Sequence, residues 1–261
     1  DSLIKNRKVN VLELSKEFAV SQVIIRKDLK LLEAEGKLQR THGGAIEKRK
    51  IALNTTFEDR KIINEEEKMV IAKKAYELIN DNDVILMDIS TINFMIARLL
   101  EEKPKRITII TQSLDLIVVL SSINEINIIS LGGSFDKKNR AFLGRITSSN
   151  IKKINPLKCF LGAGGINIDR GNLSNYEEED GEIKREFISV SKEVYLLAEH
   201  QKFVEDALYN FTTLEDINYI ISDNKLTNEE LLKLEKYFNK LMEEYSNEYL
   251  FRNEILQSSD I

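Results

Sequence analysis

Six short apolar runs, spaced so that helices fit between them, limit what this chain can fold into. They fall at residues 83–87, 107–110, 126–129, 159–161, 194–197 and 217–221. Helical spacing fills intervals between them over 94–100, 114–120 and 182–190. A further helix is expected from Asn64, with Asn64 as its N-cap and Glu65, Glu66 and Glu67 in its first turn. It turns Val70, Ile71, Ala75, Leu78 and Ile79 inward. Strands alternating with helices imply an α/β fold, a mostly parallel sheet covered on both faces. Such sheets bind ligands at the carboxyl ends of their strands.

Composition removes several other classes. With 42% hydrophobic and 31% charged residues, 11 Gly and 2 Pro, the chain is neither low-complexity nor disordered. No apolar run approaches the roughly 18 residues that a membrane span needs, and no signal-peptide pattern opens the sequence. One Cys cannot form a disulfide within the chain, so a cytoplasmic setting is expected. Two His and one Cys argue against a zinc site, and no metal or cofactor is expected. The net charge of −5 speaks against nucleic acid until it is divided along the chain. Residues 1–50 hold 12 basic and 7 acidic residues, a net of +5. The remainder holds 26 basic and 36 acidic, a net of −10. An anionic polymer would therefore meet the first fifty residues.

Those residues carry a specific pattern. Residues 9–18 read as a strand-like entry and then a helix, with Asn10 as N-cap, Glu13 three residues on, and Leu14 and Phe18 on one apolar face. Ser21 is a natural N-cap for a second helix running from Gln22 to about Glu35 and stopping at Gly36. Ile25, Leu29 and Leu32 form its buried stripe; Gln22, Arg26 and Lys30, with Lys27 beside them, face outward. A solvated charged face would give the same pattern. Residues 37–44, however, then read as a strand turning back at Gly43-Gly44, as the wing of a winged helix would. Two helices joined by a short turn, the second with a basic outer face, form a helix-turn-helix suited to the major groove.

The run Val20-Ser21-Gln22-Val23-Ile24-Ile25-Arg26-Lys27-Asp28-Leu29, followed by Leu32-Glu33, Gly36 and Arg40-Thr41-His42-Gly43-Gly44-Ala45, resembles the DNA-binding signature of the DeoR family of bacterial transcriptional regulators. The resemblance implies double-stranded operator DNA as a partner. Ser21, Gln22, Arg26, Lys27, Lys30, Arg40, His42 and Gly43 are the expected DNA-binding residues, with His42 contacting phosphate or shaping the wing. Ile24 stands where the family has Thr. Lys27 replaces a second Arg, which keeps the charge and loses the bidentate fork. The family's first helix begins about a dozen residues earlier, so a chain opening at Asp1 is expected to hold a truncated one.

Small and hydroxyl residues follow the strands: Asp88-Ile89-Ser90-Thr91, Thr111-Gln112-Ser113, Gly132-Gly133 and Gly162-Ala163-Gly164-Gly165. Before helix N-termini such groups bind phosphate through backbone N–H groups, although they also serve ordinary turns. The resemblance continues through them to about residue 223, and the family's large domain resembles ribose-5-phosphate isomerase and CoA-transferase folds. It implies a sensor of a phosphorylated sugar or related metabolite held by Asp88, Ser90, Thr91, Gln112, Ser113, Gly132, Gly133, Gly162, Lys184 and Lys202. Several positions depart from the family. Asp88-Ile89-Ser90-Thr91-Ile92 replaces D-S-G-T-T, and Gly162-Ala163-Gly164-Gly165-Ile166-Asn167 replaces G-A-D-G-I-D. Gln112, Asp180 and Glu199 stand for Asn, Glu and Asp.

The expected organisation is a winged helix-turn-helix over 1–48, a linker over 49–64, an effector-sensing α/β domain over 65–223 and a helical tail over 224–261. In the tail, Thr227 is an N-cap, and Leu231, Leu234, Phe238 and Leu241 form a packing stripe. The chain is read as a homo-oligomeric repressor of a sugar or carbohydrate catabolic operon, modulated by its effector. The alternatives are a sugar-phosphate isomerase or CoA-transferase-like enzyme, and a regulator that has lost its effector response. No catalytic residues are assigned. Gly164 and Asn167 stand where the carboxylates of the glycine-rich turn belong, and Cys159 reads as a packing residue.

Overall fold

The computed structural model describes residues 8–34, 38–41, 43–47, 56–204, 206–244 and 255–257. The chain divides into two compact units, Asp1–Ala52 and Leu53–Ile261.

The first unit contains β1 (Lys8–Asn10), α1 (Val11–Glu17), α2 (Gln22–Ala34), β2 (Leu38–Thr41) and β3 (Gly44–Glu47). Strand β3 lies between β1 and β2 and is antiparallel to both. Asn10 caps α1 by accepting from the Leu12 amide at 2.8 Å. Ala19 takes a left-handed φ of 51°, which reverses the chain. Ser21 Oγ then accepts from the Ile24 amide at 3.4 Å as α2 begins. Val9, Val11, Leu14, Ile25, Leu29, Leu38 and Ala45 form the core, with Leu32 packed against it. Each fully buried Leu or Ile there contributes about 1.5–3 kcal/mol. Phe18 departs from expectation: it is 57% exposed, because α1 ends at Glu17 and Phe18, its C-cap, leaves the face that Leu14 occupies. Gly36 and His42 lie outside the described residues.

In the second unit, helices α3 (Phe57–Ile62) and α4 (Glu65–Glu77) precede β4 (Val84–Met87), α5 (Thr91–Glu102), β5 (Ile107–Thr111), α6 (Leu114–Leu120) and β6 (Ile126–Ser130). Next come β7 (Ser134–Asp136), β8 (Ala141–Leu143), α7 (Arg145–Ile151), β9 (Lys158–Leu161), β10 (Gly165–Asn167), β11 (Asn172–Asn175) and α8 (Glu178–Val190). Strand β12 (Glu193–Leu197), a 3-10 turn (His200–Val204), β13 (Tyr209–Thr213), β14 (Tyr219–Ser222), α9 (Asn228–Glu244) and β15 (Ile255–Gln257) complete it. The main sheet runs β15-β14-β12-β9-β4-β5-β6, and every pairing in it is parallel. All six apolar runs became strands of this sheet.

Because strand side chains alternate between faces, each strand feeds two cores. Leu86, Ile110, Leu161 and Leu196 pack with Ile183 and Phe187 of α8. Ile85, Met87, Ile109 and Phe160 pack with Ile71 and Ala75 of α4 and with Ile96 and Leu100 of α5. Cys159 is buried in the first core, and that burial pushes its thiol pKa up, as a packing role requires.

The second half of the segment expected as a linker is structured. Thr56 and Asp59 form a capping box, and Phe57 is buried edge-on to Phe94 with centroids 5.9 Å apart. Asn64 occupies the N-cap position of α4 with φ 54° and makes no side-chain cap, so the acidic first turn supports that end instead. In the tail, Thr227 is the expected N-cap, and Glu230 reciprocates by accepting from the Thr227 amide at 2.8 Å. Leu234 is buried, and Tyr237 donates to the Ile168 carbonyl at 2.7 Å. The side chains of Phe238 and Leu241 lie outside the described residues.

Candidate functional site

Helix α2 presents the groups a duplex would meet. Gln22, Arg26, Lys27 and Lys30 are all exposed, opposite the buried Ile25 and Leu29. Ser21 is exposed as well and caps the helix. On the wing, the Arg40 amide donates to Glu33 Oε1 at 2.9 Å, and its guanidinium stands 3.9 Å from Glu33 Oε2. Gly43 is exposed, and its carbonyl accepts from the Val11 amide at 2.9 Å. Gly44 serves a close approach: a Cβ there would lie 1.8 Å from the Val9 carbonyl oxygen.

At the carboxyl ends of β4 and β9 a buried ionic cluster gathers residues far apart in sequence. Asp88 Oδ1 accepts from the Ser90 amide at 2.9 Å and from Asn93 Nδ2 at 2.8 Å. Its Oδ2 accepts from the Gly162 amide at 2.8 Å and from Lys184 Nζ at 2.7 Å. Lys184 also donates to the Gly162 carbonyl at 2.7 Å and stands 3.8 Å from Asp180. Burial works against the Lys184 charge, but Asp88 and Asp180 outweigh it, and the lysine's pKa stands above its ordinary value. Burial raises the Asp180 carboxyl, against the pull of Lys184. Gly162 must be glycine here, since a Cβ would lie 2.7 Å from the Ser90 Cβ. Ser90 caps α5 through the Asn93 amide, and Thr91 is the first residue of that helix.

The neighbouring strand adds a different feature. Met87 pairs with Thr111, so Asp88 and Gln112 leave the sheet side by side. Leu86 and Ile110, two residues earlier, face α8, which puts Gln112 on the same face as the cluster. Gln112 is fully buried, yet neither its Oε1 nor its Nε2 has a hydrogen-bond partner among the described residues. An unsatisfied buried amide of this kind costs about 1–3 kcal/mol per group. Ser113 caps α6, and Gly132 and Gly133, at φ 60° and 130°, bring the chain against Thr147, which donates to the Gly132 carbonyl at 2.6 Å.

Two cations that sequence reasoning missed join this region. Arg60 of α3 donates to Asn139 Oδ1 at 3.3 Å and lies within the field of Asp180, Glu177 and Asp88. Lys68 of α4 donates to the Arg60 carbonyl and feels the attraction of Glu199 and the repulsion of Lys202. Burial lowers the pKa of both. Lys202 is close enough to Lys68 for their charges to repel, and its ammonium stands 5.9 Å from the centroid of the Tyr176 ring, which itself lies within the field of Arg60. Thr56-Phe57-Glu58-Asp59 ahead of Arg60, a capping-box pattern, was the available signal for α3.

Two clefts lie away from the expected ligands. One of about 190 Å³ runs between α8 and β13, lined by Gly181, Arg185 and Tyr209 among others. Another of about 400 Å³ lies at the amino ends of β4, β9 and β12, beside Val84, Pro156 and Lys192. Among the described residues no group of three or more His, Cys, Asp or Glu could hold a metal ion. Nor is any described helix long and apolar enough to cross a membrane.

Comparison with known proteins bears on both regions. Residues 1–50 match the model of the DeoR-like helix-turn-helix domain, and residues 63–224 match that of the DeoR C terminal sensor domain. The chain is 33% identical over 227 residues to the HTH-type transcriptional regulator IolR of Bacillus subtilis, covering 87% of this chain and 89% of that protein. It is 32% identical over 231 residues to the lactose phosphotransferase system repressor of Lactococcus lactis, covering 88% of this chain and 90% of the other. A solved structure of ribose 5-phosphate isomerase A from Methanocaldococcus jannaschii is 18% identical, with a TM-score of 0.41 over 54% of this chain and 55% of that one.

Proposed function

This chain belongs to the DeoR family of bacterial transcriptional regulators, and we propose that it represses a sugar or carbohydrate catabolic operon until a phosphorylated sugar or related metabolite weakens its hold on the operator. The family is one of regulators, not of enzymes, and DNA binding is the role of its helix-turn-helix. The observation that carries the reading is the outer face of α2, where Gln22, Arg26, Lys27 and Lys30 stand free of the core. A helix of this shape enters the major groove by its N-terminal end, while flanking Lys and Arg neutralise phosphates. Repression and sugar control follow the names of relatives such as the lactose phosphotransferase system repressor. Assembly as a homo-oligomer on repeated half-sites in the cytoplasm belongs to the same proposal.

The proposed effector site is the cluster around Asp88, Ser90, Thr91, Gln112, Ser113, Gly132, Gly133, Gly162, Lys184 and Lys202, widened by Arg60 and Lys68. An anion would offset the desolvation of the Lys68 charge, and a ligand hydroxyl would satisfy the Gln112 amide. Calorimetry with a panel of phosphorylated sugars and polyols, followed by operator titrations with and without each compound that binds, tests this. Heat from one of them, together with weakened operator binding, is the expected result.

One observation favours a second reading, a regulator without effector response. Lys184 is already neutralised by Asp88 and Asp180, which leaves it no charge to offer an anion. Silence across the whole panel, with operator binding intact, would select that reading.

A further inference from the structure

Three exposed apolar groups of α2, Val23, Ile24 and Leu31, are not explained by phosphate binding, and Val23 is the most exposed of them. Val23 is 73% exposed at the second position of the helix, among Gln22, Arg26 and Lys27. It precedes Ile25 by two residues, a rotation of about 200°, so it points directly away from the core. Val23, Lys27 and Lys30 thus follow the same i, i+4, i+7 spacing on the outside that Ile25, Leu29 and Leu32 follow on the inside.

We infer that Val23 reads the 5-methyl group of a thymine in the major groove, as the most exposed apolar group at the N-terminal end of the recognition helix. The inference rests on α2 being the DNA-reading helix. Three physical points support it. The N-terminal end of such a helix is the part that reaches base edges, and Val23 stands at that end. In the major groove thymine alone presents an apolar group, its methyl, while guanine and adenine offer the acceptors and donors that suit Arg26 and Gln22. A β-branched side chain in a helix is held in one strongly preferred rotamer, so the two methyls of Val23 have a fixed direction before DNA arrives. Ile24, 47% exposed, leaves the helix about 100° further round and flanks this face.

The test begins with the full-length chain and a randomised duplex library, from which bound sequences are selected. Each thymine of the selected site is then replaced in turn by deoxyuridine, which removes the methyl and nothing else, and affinities are read by fluorescence anisotropy at constant salt. One replacement is expected to weaken the wild-type chain about fourfold, the value of one buried methyl-sized group. Val23→Ser should bind the thymine and deoxyuridine duplexes equally, and Val23→Thr, which keeps a methyl and the branch, should retain part of the preference. The salt dependence of both variants should match the wild type, since no phosphate contact is touched. The inference is overturned if wild type is indifferent to every replacement, if the selected site lacks thymine, or if Val23→Ser keeps the same discrimination. A library from which nothing is enriched would remove the DNA-reading role of α2 itself, and the thymine contact with it.

Discussion

Asp88, on the loop leaving β4, and Lys184, in the middle of α8, form an ion pair of 2.7 Å with both side chains almost wholly withdrawn from water. The same lysine closes the Gly162 turn, so one ammonium ties the carboxyl ends of β4 and β9 to the helix that covers them. Breaking a buried pair by removing one partner leaves an uncompensated charge, at a cost of about 3–5 kcal/mol. Lys184→Met is therefore expected to lower the stability of the α/β unit by that amount in guanidinium unfolding. The double variant Asp88→Asn, Lys184→Met should cost clearly less than the sum of the single ones. Additive losses would show that the pair does not act as a unit.

The neighbouring Asp180 gives a pH dependence of known sign. Burial raises its pKa above the ordinary 3.8, so the folded chain keeps a proton that the unfolded chain has released. This group's contribution to stability is greatest below that ordinary value and falls as pH rises through the raised one. Asp180→Asn removes the titration. Its stability relative to wild type should rise as pH increases from about 4 through the raised pKa and then level off. A relative stability that is flat or falls over that interval would contradict the assignment.

Sequence pattern reached the sheet and the recognition helix because both announce themselves locally. Runs of Ile, Leu and Val became six strands of the main sheet, whereas its edge strand β15 lies in the tail expected to be helical throughout; Ile25 and Leu29 are buried as their spacing required. What pattern missed depends on distant partners. Strand β11, Asn172–Asn175, has no apolar run and is a strand because β10 and β13 flank it. Helix α3 buries only Phe57 among its residues, too little to register as a stripe. Phe18 matched the spacing of Leu14 but falls one residue past the end of its helix. The site was legible as separate residues: Asp88, Gly162 and Lys184 were each named from the sequence. Their mutual bonding was not, since it spans 96 residues and arises only because β9 lies beside β4. Arg60 and Lys68 entered the same region from segments read as linker and as an ordinary amphipathic helix.

Gly44 offers a local test of the wing. An alanine there would set its Cβ against the Val9 carbonyl, in backbone that cannot yield without parting β3 from β1. Gly44→Ala should speed amide hydrogen exchange across residues 8–47 and abolish operator binding, while exchange across the main sheet stays unchanged. Wild-type exchange in the wing would show that β1 and β3 tolerate the side chain.

The outer face of α2 is tested most directly by titrating the full-length chain with its selected duplex over a range of salt concentrations, alongside Arg26→Ala and Lys30→Ala. The logarithm of wild-type affinity should fall linearly with the logarithm of salt concentration. Lys30→Ala should reduce that slope by about 1 and keep the sequence preference, whereas Arg26→Ala should cost about 1–3 kcal/mol and relax the preference at one base pair. Equal wild-type binding to all duplexes, or variants that leave affinity, slope and preference untouched, would contradict the role of α2 as the helix that reads the operator.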